Sequence, residues 1–80
     1  MQIEFSKKAA KAISGMDKPT KKRIKAGIDA LPNGDIRPLK GSDGSYRLRI
    51  GDWRIIFSYV TKNIILIEKI APRGEAYKGA

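Results

Sequence analysis

The stretch "YRLRIGDWRIIFSY", from Tyr46 to Tyr59, carries three arginines, Arg47, Arg49 and Arg54. Arginine stays protonated throughout the accessible pH range. Its planar guanidinium offers five N–H donors in a fork that matches phosphate oxygens two at a time. Such a trio can hold an anion and neutralise charge developing on it, provided the fold gathers the three. Further on stand Arg73 and Tyr77. A tyrosine hydroxyl crowded by cations can move a proton, and its ring can stack on an unpaired base. Tyr77 can equally pack as a plain aromatic against a sheet edge. The chain contains no histidine and no cysteine, so the commonest acid/base group, thiolate nucleophiles, disulfides and thiolate zinc sites are all excluded.

Whether the arginines meet depends on a hairpin. Gly51-Asp52 is a two-residue loop of the Gly-X kind, which sets the register of the strands beside it. It places Ile50 opposite Trp53, Arg49 opposite Arg54, Leu48 opposite Ile55, Arg47 opposite Ile56 and Tyr46 opposite Phe57. Opposed residues share a face. Tyr46, Leu48, Ile50, Trp53, Ile55, Phe57 and Tyr59 line one face, apolar and aromatic. Arg47, Arg49, Arg54, Ile56 and Ser58 line the other. Like charges directly opposed destabilise a sheet, so the arrangement is costly unless an anion sits between them. The plain alternative is a set of solvated arginines on an exposed face, and a slip of one residue would dissolve the cluster.

The flanking segments supply the scaffold. Ile3–Phe5 reads as a short strand. Ser6 caps a helix ending near Gly15, with Phe5 positioned to pack on Ala10 and with Ala9, Ile13 and Met16 on one stripe. Lys7 and Lys8 sit in its first turn, where the helix dipole disfavours cations. Asp17 caps a second helix with Pro19 in its first turn and Ile24, Ile28 and Leu31 as its buried stripe; "PNGD" at 32–35 stops it. Ile36–Ser45 reads as a turn-rich loop. Strands follow at Ser45–Ile50, Trp53–Val60 and Ile64–Ala71. The expectation is an α+β fold of order β-α-α-β-β-β. Its antiparallel sheet has a helical hairpin packed on one face and leaves the other face bare. If the last strand pairs with Trp53–Val60, its end lies near Arg54 and brings Arg73 and Tyr77 toward the same surface.

Composition narrows the partners. The chain has 80 residues, consistent with a single domain over residues 1–80, and a domain of that size buries roughly 60% of its unfolded surface. Seventeen Lys+Arg against eight Asp+Glu give a net charge of +9, which favours a polyanion as partner over a merely solubilising surface. No apolar run reaches the roughly 18 residues of a membrane span. The N-terminus lacks the order of a signal peptide, and a cytoplasmic location is expected.

"LKGSDGSYRLRIGDWRIIFSYV" followed by "IEKIAPRGEAYK" resembles the RelE branch of the RelE/ParE toxin superfamily, the toxins of type II toxin–antitoxin modules. The resemblance runs through the leading strand, the two helices, the Leu39–Gly41 loop, the hairpin and the Arg/Tyr ending. It implies a metal-independent endoribonuclease, without cofactor, that cleaves mRNA in the ribosomal A site by attack of the ribose 2′-hydroxyl on the neighbouring phosphodiester. The family's catalytic positions fall on Arg47, Arg49, Arg54, Arg73 and Tyr77, with Lys40, Lys69 and Lys78 as further RNA contacts. The first hairpin strand often carries lysine in the family. With arginine at both positions, Tyr77 becomes the expected proton acceptor. The implied partners are the ribosome, mRNA and an acidic, partly disordered RelB-like antitoxin through which the complex binds operator DNA. Two other readings stay open: a ParE-like inhibitor of DNA gyrase, and a non-catalytic RNA-binding module.

Overall fold

The computed structural model describes residues 2–41 and 44–72. It contains β1 (Gln2–Phe5), α1 (Lys7–Ser14), α2 (Lys18–Asp29), β2 (Asp35–Pro38), β3 (Ser45–Ile50), β4 (Trp53–Thr61) and β5 (Ile64–Pro72). The five strands form one sheet in the order β1-β5-β4-β3-β2.

The helices start where their caps stand. The Ser6 hydroxyl accepts from the backbone N–H of Ala9 at 3.0 Å and donates to the Glu68 carbonyl at 2.8 Å, so one side chain caps α1 and ties it to β5. Asp17 is the N-cap of α2, with Pro19 in the first turn. Ala9 from α1 and Ile24, Ile28 and Leu31 from α2 join Leu48, Ile55, Phe57, Ile65, Ile67 and Ile70 of the sheet in a single core. Ile13 and Met16 pack around it half-buried. No described helix is long and apolar enough to cross a membrane.

The hairpin has the expected register at every pair from Tyr46–Phe57 to Ile50–Trp53. Gly51 sits at φ 57, in the left-handed region that a turn with glycine first requires. Tyr46 stacks on Phe57 with ring centroids 5.6 Å apart, and Tyr59 meets both edge-on on the helix-facing side.

Three expectations are corrected. The segment read as a loop from Ile36 opens with a strand, β2, whose Asp35, Ile36, Arg37 and Pro38 pair antiparallel with Arg49, Leu48, Arg47 and Tyr46. Asp35 and Pro38 are poor strand formers, but β2 is an outer strand, where proline's missing N–H leaves no ladder bond unmade. The sheet is mixed rather than antiparallel, because β1 runs parallel to β5. The first and last strands are joined by no hairpin, so turn geometry says nothing about their direction. The face away from the helices is not bare either. Leu39 packs over Ile56 and Ala71, both buried there.

Gly27 lies inside α2, where glycine costs about 1 kcal/mol relative to alanine. A Cβ there would come within 2.9 Å of Ile50 Cγ1. Gly27→Ala is therefore expected to destabilise the fold by about 1–3 kcal/mol through overpacking, despite the gain in helix propensity. Thermal unfolding checks this, and the double variant with Ile50→Ala should lose less than the sum of the two single losses.

Candidate nucleic-acid interface

Cross-strand pairing arranges the second face of the sheet in rows. One row runs Asp35, Arg49, Arg54, Ala71 across β2, β3, β4 and β5. The next, two residues along β3, runs Arg37, Arg47, Ile56, Lys69. Arg47, Arg49 and Arg54 thus share a face on the two central hairpin strands, as the two-residue turn requires. Lys69 joins them from β5, where it stands opposite Ile56. The end of β5 lies beside the start of β4, with Ala71 opposite Arg54 and Pro72 opposite Trp53. Arg73, Tyr77 and Lys78 follow it in the chain and lie outside the described residues.

The arginines differ in setting. Arg49 is exposed and donates Nε to the Gly51 carbonyl at 3.5 Å, a long bond. Arg47 is half-buried and pairs loosely with Asp35, Nη2 to Oδ1 3.8 Å. Arg54 is only 9% exposed, and among the described residues its side chain donates one hydrogen bond, from Nη1 to the Trp53 carbonyl at 3.4 Å. Among the described residues no carboxylate pairs with it. Burying an unpaired charge is expensive. Arg54 also has Arg49, a second guanidinium, directly opposite. Among the described residues, therefore, the deepest cation of the site has no counter-anion.

Lys40, in the loop after β2, contributes at the rim. Together with Arg37, Pro38, Leu39 and Arg47 it lines an open cleft of about 450 Å³. Arg37 and Asp35 were missed in the sequence because β2 was; reading "DIRP" as an edge strand paired with "YRLR" would have put Arg37 opposite Arg47. Among the described residues no group of His, Cys, Asp or Glu is placed to hold a metal ion.

Residues 3–77 match the family described as the ParE toxin of the type II toxin–antitoxin system parDE. A protein of Methanocaldococcus jannaschii named as the toxin RelE1 is 34% identical over 84 residues, covering 95% of this chain and 93% of that one. The chain belongs to the RelE/ParE superfamily of type II toxins. Solved relatives agree with this toxin fold. The RelE–RelB complex of Pyrococcus horikoshii OT3 matches with a TM-score of 0.74 at 29% identity, covering 94% of this chain and 97% of that one. The RelB–RelE complex of Methanococcus jannaschii matches with a TM-score of 0.74 at 26% identity, covering 92% and 94%. Escherichia coli YafQ shares the fold, with a TM-score of 0.72 at 20% identity over 95% and 97% of the two chains.

Proposed function

We propose that this toxin is a metal-independent endoribonuclease that enters the ribosomal A site, cleaves the mRNA there and so stops translation. The observation that carries the reading is the buried Arg54 guanidinium, without a carboxylate partner among the described residues and faced by Arg49. A phosphodiester supplies the anion that this pair lacks. Arg47, Arg49 and Arg54 hold the scissile phosphate and neutralise it as charge builds on its oxygens. Tyr77, as its phenolate, accepts the proton of the ribose 2′-hydroxyl as that oxygen attacks phosphorus. The P–O5′ bond breaks, and Arg54 or Arg73 steadies the leaving oxygen, which takes up a proton from water. The products are a 2′,3′-cyclic phosphate and a 5′-hydroxyl. Lys40, Lys69 and Lys78 hold the flanking RNA. No group here is a strong acid or base, and the ribosome makes up the difference by orienting the mRNA.

The RelE toxins of the two archaeal complexes are bound to RelB. That pairing supports an acidic, partly disordered antitoxin as this toxin's partner, attracted by the +9 charge, folding on binding and carrying the complex to operator DNA. Ribosomes place its action in the cytoplasm.

Asp35 is a built-in competitor for the RNA phosphate, since its carboxylate already pairs with Arg47. A partly exposed pair of this kind is worth about 0.2–1 kcal/mol. Asp35→Asn is therefore expected to tighten single-stranded RNA binding by up to about fivefold at low salt, read by fluorescence anisotropy.

The match to the ParE family favours a second reading, inhibition of DNA gyrase without RNA cleavage. Purified ribosomes programmed with a defined mRNA separate the two. Toxin pretreated with chelator should cut within the A-site codon, leaving a 5′-hydroxyl on the downstream fragment, and should spare gyrase supercoiling. Intact mRNA together with blocked supercoiling would establish the second reading.

A further inference from the structure

We infer that the cleft between β2 and the following loop is a second phosphate site, holding the RNA backbone phosphate next to the one that Arg49 and Arg54 take. The inference rests on the RNA-cleaving reading and adds to it a residue, Arg37, outside the set the family resemblance names. Arg37, Lys40 and Arg47 bring three cations to one cleft, and among the described residues no carboxylate lines it. Arg37 stands directly opposite Arg47, a second like-charge pair beside that of Arg49 and Arg54. Arg37 is exposed and forms no ion pair among the described residues, so its fork is available to a ligand.

The spacing fits a polymer better than a lone ion. The Arg37–Arg47 row lies two residues along β3 from the Arg49–Arg54 row, about 7 Å on an antiparallel strand. That is one nucleotide step of an extended RNA backbone. The cleft, about 450 Å³ and open, has room for a phosphate with its ribose, and Pro38 and Leu39 give it an apolar wall for the sugar. Lys40 carries a mobile charge at its rim, suited to a phosphate as a point-charge contact. Arg47, on the same strand as Arg49 and two residues from it, is placed to reach toward both phosphates.

The test uses a 2′-O-methyl trinucleotide, which carries two phosphodiesters and cannot undergo 2′-hydroxyl attack. Its binding is followed by NMR titration, alongside versions with one or the other linkage replaced by a neutral methylphosphonate. Arg37→Ala should weaken binding about tenfold and lower the salt slope by about 0.7, the value for one single-strand phosphate contact. Lys62→Ala, which removes a charge at the β4–β5 turn, should do neither. The loss from Arg37→Ala should vanish on the oligonucleotide neutralised at one linkage, while the loss from Arg54→Met vanishes on the one neutralised at the other. Arg37→Lys should recover part of the affinity. Binding by Arg37→Ala as tight as by Lys62→Ala, coupling of Arg37 to the same linkage as Arg54, or no binding by the unaltered toxin would each overturn the inference. Absence of cleavage on ribosomes by a toxin that still binds the trinucleotide with the expected coupling would overturn the nuclease reading and leave this site standing.

Discussion

Arg54→Met should make the protein more stable and inactive at once. Arg54 sits at the start of the central strand β4, 9% exposed, with Arg49 across from it and no carboxylate partner among the described residues. In the folded state it contributes a desolvated charge and a like-charge contact, and it gains one long hydrogen bond, 3.4 Å to the Trp53 carbonyl. Methionine retains much of the volume of the arginine stem and removes both penalties. A gain of about 1 kcal/mol is expected, which for a domain of this size raises Tm by roughly 4–8 °C. Activity moves the other way. Removing one preorganised donor from a developing oxyanion commonly costs about 10²–10³-fold in rate, so cleavage on programmed ribosomes should fall by at least that much. A lowered Tm with near-normal cleavage would mean that Arg54 is a structural cation.

Phe57→Ala should abolish toxicity by the opposite route. Phe57 is fully buried on β4, in one core with Leu48, Ile55 and the helix residues Ala9, Ile24 and Ile28, and its ring stacks on Tyr46. Truncating a buried phenylalanine costs about 3–5 kcal/mol. At roughly 0.05–0.15 kcal/mol per residue, a chain of this length has only about 4–12 kcal/mol in all. The variant should be largely unfolded near 37 °C, with the cooperative melting transition displaced far downward in circular dichroism and the protein cleared in cells. Arg54→Met, by contrast, should accumulate as folded material. The two losses of toxicity are thus distinguishable by abundance and melting alone. A Phe57→Ala protein that melts within a few degrees of the parent would show that the core does not hang on that ring.

The hairpin was legible in the sequence because two local signals agree there. Gly51-Asp52 allows only a tight corner, and the strands on either side alternate apolar with charged residues, so register and face follow together. The helices were legible for a similar reason, with caps at Ser6 and Asp17 and apolar stripes through Ala9, Ile24, Ile28 and Leu31. What escaped depends on contacts remote in sequence. β2 is a strand because β3 offers it a partner, not because Asp35-Ile36-Arg37-Pro38 prefers to be extended. The parallel pairing of β1 with β5 joins the two ends of the described chain, and no turn chemistry announces it. The cover that Leu39 provides over Ile56 and Ala71 depends on the path of a loop. Those same omissions hid the outer half of the site. Arg37 and Asp35 reach the arginine face only through β2, whereas Arg47, Arg49 and Arg54 could be assembled from one turn.

The most direct test of the arginine site is primer extension across transcripts from cells induced for the toxin, in parallel with cells making equal amounts of folded Arg54→Met. Phosphate capture by the arginine trio requires new 5′ ends inside translated regions with the parent and none with the variant. Identical ends in both strains, or growth arrest by the parent with transcripts intact, would contradict it.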